Sequence, residues 1–179
     1  MTIATAATPA IGAAARPLSV REARFYLYTA LFVAGNVAFP ALCHLVPGGG
    51  PMLLPIYFFT LIAAWRFGLA AGLATAVLSP LANHLLTGMP PQAMLPVILA
   101  KSVLLAVIAS AVARRFGLSL VAVAMAVLGY QLAGGMVEWL LAGSLSAALA
   151  DFRVGLPGIA LQILGGYAAL RLMDRPGTV

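Results

Sequence analysis

Residues 92–115 read QAMLPVILAKSVLLAVIASAVARR. Between Gln92 and Arg114 there is one formal charge, Lys101, and a pair of arginines closes the run. A bilayer's hydrocarbon core is about 30 Å thick, and an α-helix crosses it with about 20 mostly apolar residues. Residues 92–113 therefore read as a membrane span. Composition extends this reading to the whole chain. Hydrophobic residues make up 63% of the 179 positions and charged residues 8%, against roughly 45–50% and about 25% in soluble domains. A chain this short still exposes much of its surface, so a large soluble core cannot account for the missing charge.

Five further spans follow on either side, at 25–45, 52–65, 68–86, 118–141 and 154–173. The turn Pro47-Gly48-Gly49-Gly50-Pro51 ends the first, because glycine and proline punctuate helices. The second is short, with Pro55 in its first turns, so it is expected to tilt or begin irregularly. Pro80 is expected to kink the third. Residues 87–91 (TGMPP) form a tight loop, and 143–153 a polar or interfacial connection. The expected fold is an all-α, polytopic six-helix transmembrane bundle over residues 21–175. Residues 1–20 are expected to be a flexible cytoplasmic tail and 176–179 a short C-terminal one. The start of the chain, MTIATAATPAIGAAA, lacks the basic n-region and compact apolar stretch of a signal peptide. No linker, second domain or internal repeat is evident.

The basic residues orient the bundle. Arg16, Arg21, Arg24, Arg66, Arg114, Arg115, Arg171 and Arg175 fall on one side of six spans, and Arg153, with Asp151 nearby, on the other. Cytoplasmic loops are enriched in Lys and Arg, so both termini are expected inside. The net charge of +6 does not indicate nucleic acid, because the basic residues form no patch or stripe.

Function must come from polar groups that a bilayer penalises. Ionisable residues inside spans are rare and face a bundle interior or cavity. Counting about 1.5 Å per residue, Lys101 lies roughly 13 Å below the outer surface, Gln131 roughly 15 Å and Gln162 roughly 12 Å. Asn83 lies roughly 5 Å down, with His84 one residue higher. Glu138 stands two turns above Gln131 on nearly the same face. These residues gather in the outer half, which suggests a polar pocket open to the outside.

Each has a structural alternative. Asn83, Gln131 and Gln162 serve equally well to bond helices together. Lys101 either pairs with Glu138 or snorkels, or else faces a ligand. Tyr130, Trp139 and Trp65 read as interfacial anchors. His44, His84 and Cys43 would suit a metal or corrinoid carrier, but their spacing matches no metal-ligand pattern. The lone cysteine allows no internal disulfide. Ala30, Ala34 and Ala38 form a small-residue ridge that lets a helix approach, either within the bundle or on another protein. No nucleophile motif, in-span carboxylate pair or phosphate-binding glycine loop marks an enzyme, and no cofactor is expected.

Residues 51–117 resemble the substrate-binding S components of energy-coupling factor (ECF) vitamin transporters. The resemblance is carried by Leu54-Pro-Ile-Tyr57, Phe67-Gly-Leu-Ala-Ala-Gly72, Leu78-Ser-Pro-Leu81, Leu85-Leu-Thr-Gly-Met-Pro-Pro91 and Leu95-Pro96. It covers about a third of the chain, and LLTGMPP is its most specific piece. It implies a non-enzymatic subunit of a bacterial or archaeal cytoplasmic membrane that captures a small-molecule micronutrient from outside. A transmembrane coupling protein and two cytoplasmic ATPases would then drive release inward. It implies ligand contacts at Asn83, His84, Lys101, Gln131, Glu138 and Gln162, a cover from the 87–91 loop, and docking through Ala30, Ala34 and Ala38. Lys101 departs from the pattern, since many such relatives carry an acidic residue there; the inversion points to an anionic substrate. The rival reading is a membrane scaffold whose polar residues only join helices.

Overall fold

The computed structural model describes residues 17–174. Residues 1–16 and 175–179, which hold most of the expected tails together with Arg16 and Arg175, lie outside the described residues. The described chain is helical, with eight α-helices and no strand. These are α1 (Ala23–Cys43), α2 (Gly49–Leu53), α3 (Phe58–Phe67), α4 (Leu69–Thr87), α5 (Leu95–Phe116), α6 (Leu120–Ala142), α7 (Leu145–Val154) and α8 (Leu156–Met173). Five of them, α1, α4, α5, α6 and α8, are long and apolar enough to cross a membrane. The protein therefore reads as a multi-pass membrane protein.

Local chemistry sets most of the boundaries. Ser119 caps α6 by accepting the Ala122 N–H at 3.1 Å, which satisfies one orphan donor of the first turn. Gly88 and Gly143, both at positive φ, end α4 and α6 in the left-handed conformation that a residue with a Cβ rarely adopts. Ahead of α1, the Leu18 N–H donates to the Phe67 carbonyl at 3.1 Å, which ties the entry of the chain to the end of α3.

The second expected span is broken. α2 stops at Leu54, which sits at φ 47° and ψ 44°; a 3-10 turn, Pro55–Tyr57, then leads into α3. The apolar run Pro55–Phe67 covers only about 20 Å at 1.5 Å per residue. Pro55 prevents a continuous helix, because it has no N–H to offer and restricts the residue before it. Residues 143–153, expected as a polar or interfacial connection, are mainly helix α7, because their sequence is rich in the strong helix formers Ala and Leu. α4 continues through Pro80.

Six helix ends meet at one end of the bundle. Pro17 ahead of α1, Arg66 in α3, Leu69 in α4, Arg114 in α5, Leu118 ahead of α6 and Asp174 after α8 all border one cavity. Successive members of this set run in opposite directions. Their inner faces pack small against large, with Ala63, Ala64, Ala71, Ala106 and Ala109 interleaved with Leu61, Leu105 and Tyr130.

Asn36 of α1 joins three helices inside this core. It is fully buried. Its amide donates to Thr60 Oγ1 at 3.1 Å and to Ser79 Oγ at 3.0 Å, and its oxygen accepts the Phe59 N–H at 3.2 Å. That N–H belongs to the first turn of α3, where backbone donors lack intrahelical partners. Interhelical hydrogen bonds in membranes average about 0.6 kcal/mol, with a maximum near 1.7. Asn36→Leu, which removes three such bonds, is expected to cost about 2 kcal/mol, measured as a lowered unfolding temperature in detergent.

Candidate ligand-binding site

Lys101 lies in the second turn of α5, on the face that also buries Ser102, Leu105, Ala106 and Ala109. The residue is 4% exposed. Its aliphatic stem crosses α6 at Gly134, where a Cβ would stand 2.6 Å from Lys101 Cγ. One turn further along α6, Glu138 Oε2 accepts a hydrogen bond from the ammonium at 2.5 Å. Residues 134 and 138 share a helix face because four residues make about one turn. The glycine thus opens the path along which the lysine reaches its carboxylate.

This pairing answers an electrostatic problem. Taking one ion out of water costs several kcal/mol, and a close counter-ion returns much of that energy in a low dielectric. Of the sequence alternatives for Lys101, the structure holds the ion pair with Glu138. The anionic ligand expected from Lys101 would meet a lysine that already has a carboxylate beside it.

Lys101 and Gln131 line a cavity of about 270 Å³ between α5, α6 and α7. Met136 and Trp139 of α6 form one wall, and Leu145, Leu149 and Phe152 of α7 form another. Gln131 is 4% exposed, and its Nε2 has no hydrogen-bond partner among the described residues. Such an unmet buried donor carries a desolvation cost of about 1–3 kcal/mol. The cavity therefore combines apolar walls, a compensated charge and one open donor, and it suits a largely apolar molecule carrying a hydrogen-bond acceptor.

The other expected residues do different work. Gln162 is fully buried in α8; its Oε1 accepts from Tyr130 Oη at 2.9 Å, and its Nε2 donates to the Leu54 carbonyl at 3.4 Å. It therefore supports the helix break. Tyr130 is wholly buried, so it is not the interfacial anchor expected from its aromatic type. Trp139, by contrast, is 45% exposed.

Asn83 and His84 organise the end of α4. Thr87 Oγ1 lies 2.7 Å from the Asn83 carbonyl and 3.2 Å from Asn83 Oδ1. His84 Nδ1 lies 2.7 Å from the Pro90 carbonyl. A carbonyl can only accept, so Nδ1 carries the proton. His44 Nδ1 donates likewise to the Pro40 carbonyl at 2.7 Å. Among the described residues no group of three His, Cys, Asp or Glu is placed to hold a metal. Ala30, Ala34 and Ala38 are all exposed, so the ridge faces outward and packs against no helix of this bundle.

Asn36, Gly134 and α7 did not emerge as site or core features from sequence. Asn36 is an amide at the middle of span one, a signal that could have exposed it. The Gly134-Gly135 pair between Gln131 and Glu138 was a second signal. Comparison with known proteins gives no matching family model, no matching curated protein and no matching solved structure.

Glu138→Gln is expected to destabilise the protein by about 3 kcal/mol, the low end of the range found for breaking buried pairs, because the Glu138 side chain is partly exposed. The double variant Lys101→Met/Glu138→Gln should recover much of that loss in chemical unfolding, and strict additivity would remove the pairing from the account. Gly134→Val should act like Glu138→Gln, because its side chain occupies the lysine's path. Its unfolding temperature should fall by a comparable amount.

Proposed function

We propose that this protein is a membrane-embedded capture subunit that binds a small micronutrient for uptake, in the manner of the ECF S components its sequence resembles. The bundle crosses a bacterial or archaeal cytoplasmic membrane six times with both termini inside. The broken run through α2 and α3 supplies the short sixth crossing, supported by the alternating direction of the six helices that border one cavity. The basic residues give the orientation.

The observation that carries this reading is the cavity holding Lys101 and the unmet Gln131 amide. In this orientation it lies in the outer half of the membrane. A buried donor without a partner is a cost in an empty scaffold and an asset in a binding site. The ligand would present an acceptor to Gln131 Nε2, lay its apolar body against Met136 and Leu149, and meet Lys101 and Glu138 as a paired dipole. The α7 helix would form the outer cover. The exposed Ala30, Ala34 and Ala38 ridge would dock a transmembrane coupling protein, which two cytoplasmic ATPases would drive.

The scaffold reading keeps one specific observation in its favour: Asn36 and Gln162 are committed to joining helices. Purification in mild detergent followed by native mass spectrometry separates the two readings. The capture reading expects a bound small molecule, or co-purifying coupling and ATPase subunits. It also expects Gln131→Leu and the charge-balanced Lys101→Met/Glu138→Gln to lose the molecule while staying folded. A protein that carries neither, from cells that contain such partners, is a scaffold.

A further inference from the structure

The second cavity lies at the opposite end of the bundle from α7, and the capture reading leaves it unused. It encloses about 250 Å³ among the ends of α3, α4, α5 and α8. Arg66 and Arg114 both line it, with Ser110 one turn deeper on α5 and Trp65 and Leu118 among its apolar lining. Arg66 is held in place: Nη1 donates to Asp174 Oδ1 at 3.1 Å and Nη2 to the Met173 carbonyl at 3.3 Å. Asp174 therefore offsets Arg66 and fixes the plane of its guanidinium. Arg114 is exposed and makes no hydrogen bond or ion pair with any described residue. The cleft is left with one uncompensated positive charge beside a second, oriented one.

Charge of this kind above apolar walls matches an amphiphile rather than a free ion. Guanidinium groups recognise phosphate by paired, charge-assisted hydrogen bonds. Basic pockets between membrane helices are suited to anionic lipid head groups. We infer that the cleft bounded by Arg66, Arg114, Ser110 and Trp65 is a binding site for the phosphodiester head group of an anionic phospholipid. Arg114 supplies the net attraction and Arg66 a fixed donor. Ser110, which is nearly fully buried, lies deeper, and the aliphatic wall at Leu118 takes the glycerol and the start of the acyl chains. In the proposed orientation this is the cytoplasmic leaflet, where anionic lipids are enriched. The chemistry of the cleft does not depend on the transport reading.

The test uses the full chain in a neutral detergent, titrated with phosphatidylglycerol, phosphatidylcholine or inorganic phosphate. Binding is read by native mass spectrometry and by the shift in unfolding temperature. Phosphatidylglycerol is expected to bind one per protein and raise the unfolding temperature, and phosphatidylcholine to do neither. Arg114→Gln should weaken phosphatidylglycerol by about fivefold or more, the worth of one basic residue at an anionic membrane surface. Arg114 has no structural partner to lose, so this variant should fold. Arg153→Gln, at an exposed arginine outside the cleft, should bind like the parent. Equal weakening by Arg153→Gln would reduce the effect to general surface charge and overturn the site. Equal binding of the two lipids would also overturn it, and stabilisation by inorganic phosphate alone would replace the lipid with a free anion.

Discussion

Hydrocarbon offers no hydrogen bonds, so every break in a membrane helix must be satisfied by the protein itself. This chain contains such a break near the centre of its architecture. At Leu54 the backbone turns left-handed and α2 gives way to the 3-10 turn that starts α3. The Leu54 carbonyl is met by Gln162 from α8, and the first turn of α3 by Asn36 from α1. Gly158 of α8 brings the two backbones together, since a Cβ there would stand 2.5 Å from the Leu53 carbonyl. The first and last long helices thus both serve the broken run of α2 and α3. Of the polar residues expected as a ligand set, Gln162 is spent on this repair.

What remains after that repair is smaller and more specific. Lys101 and Glu138 neutralise each other across α5 and α6, with Gly134 as the gap between them. Gln131 remains with a buried donor unmet, on the wall of an apolar cavity. A bundle built only for rigidity would gain by replacing that amide with leucine. Keeping it makes physical sense where another molecule completes the bond.

The two cavities divide the protein by chemistry. One is walled by α7 and by Trp139 and carries a compensated charge. The other sits among helix ends and carries arginines. Arg66 and Arg114, two of the basic residues that the sequence groups on one side of the bundle, both line this cleft. Arg66 lies in the last turn of α3 and binds the final carbonyl of α8.

Residues 92–115 and the overall composition were enough to establish an all-helical membrane protein, because hydrocarbon demands long runs without charge and the demand is local. Five of the six expected spans appear as helices within a few residues of their expected limits. The burial of Lys101 and Gln131 was legible for the same reason, since depth along a helix follows from counting residues. Which polar residues share a site was not legible. Asn83 and His84 bond at the end of α4 and the loop after it, Gln162 reaches Leu54 across 108 positions, and of the expected set only Lys101 and Gln131 line one cavity. Partner choice depends on how helices are rotated and how closely they approach. Those quantities are set by glycines and alanines on neighbouring helices and by the backbone break at Leu54, and no periodicity along a single span encodes them.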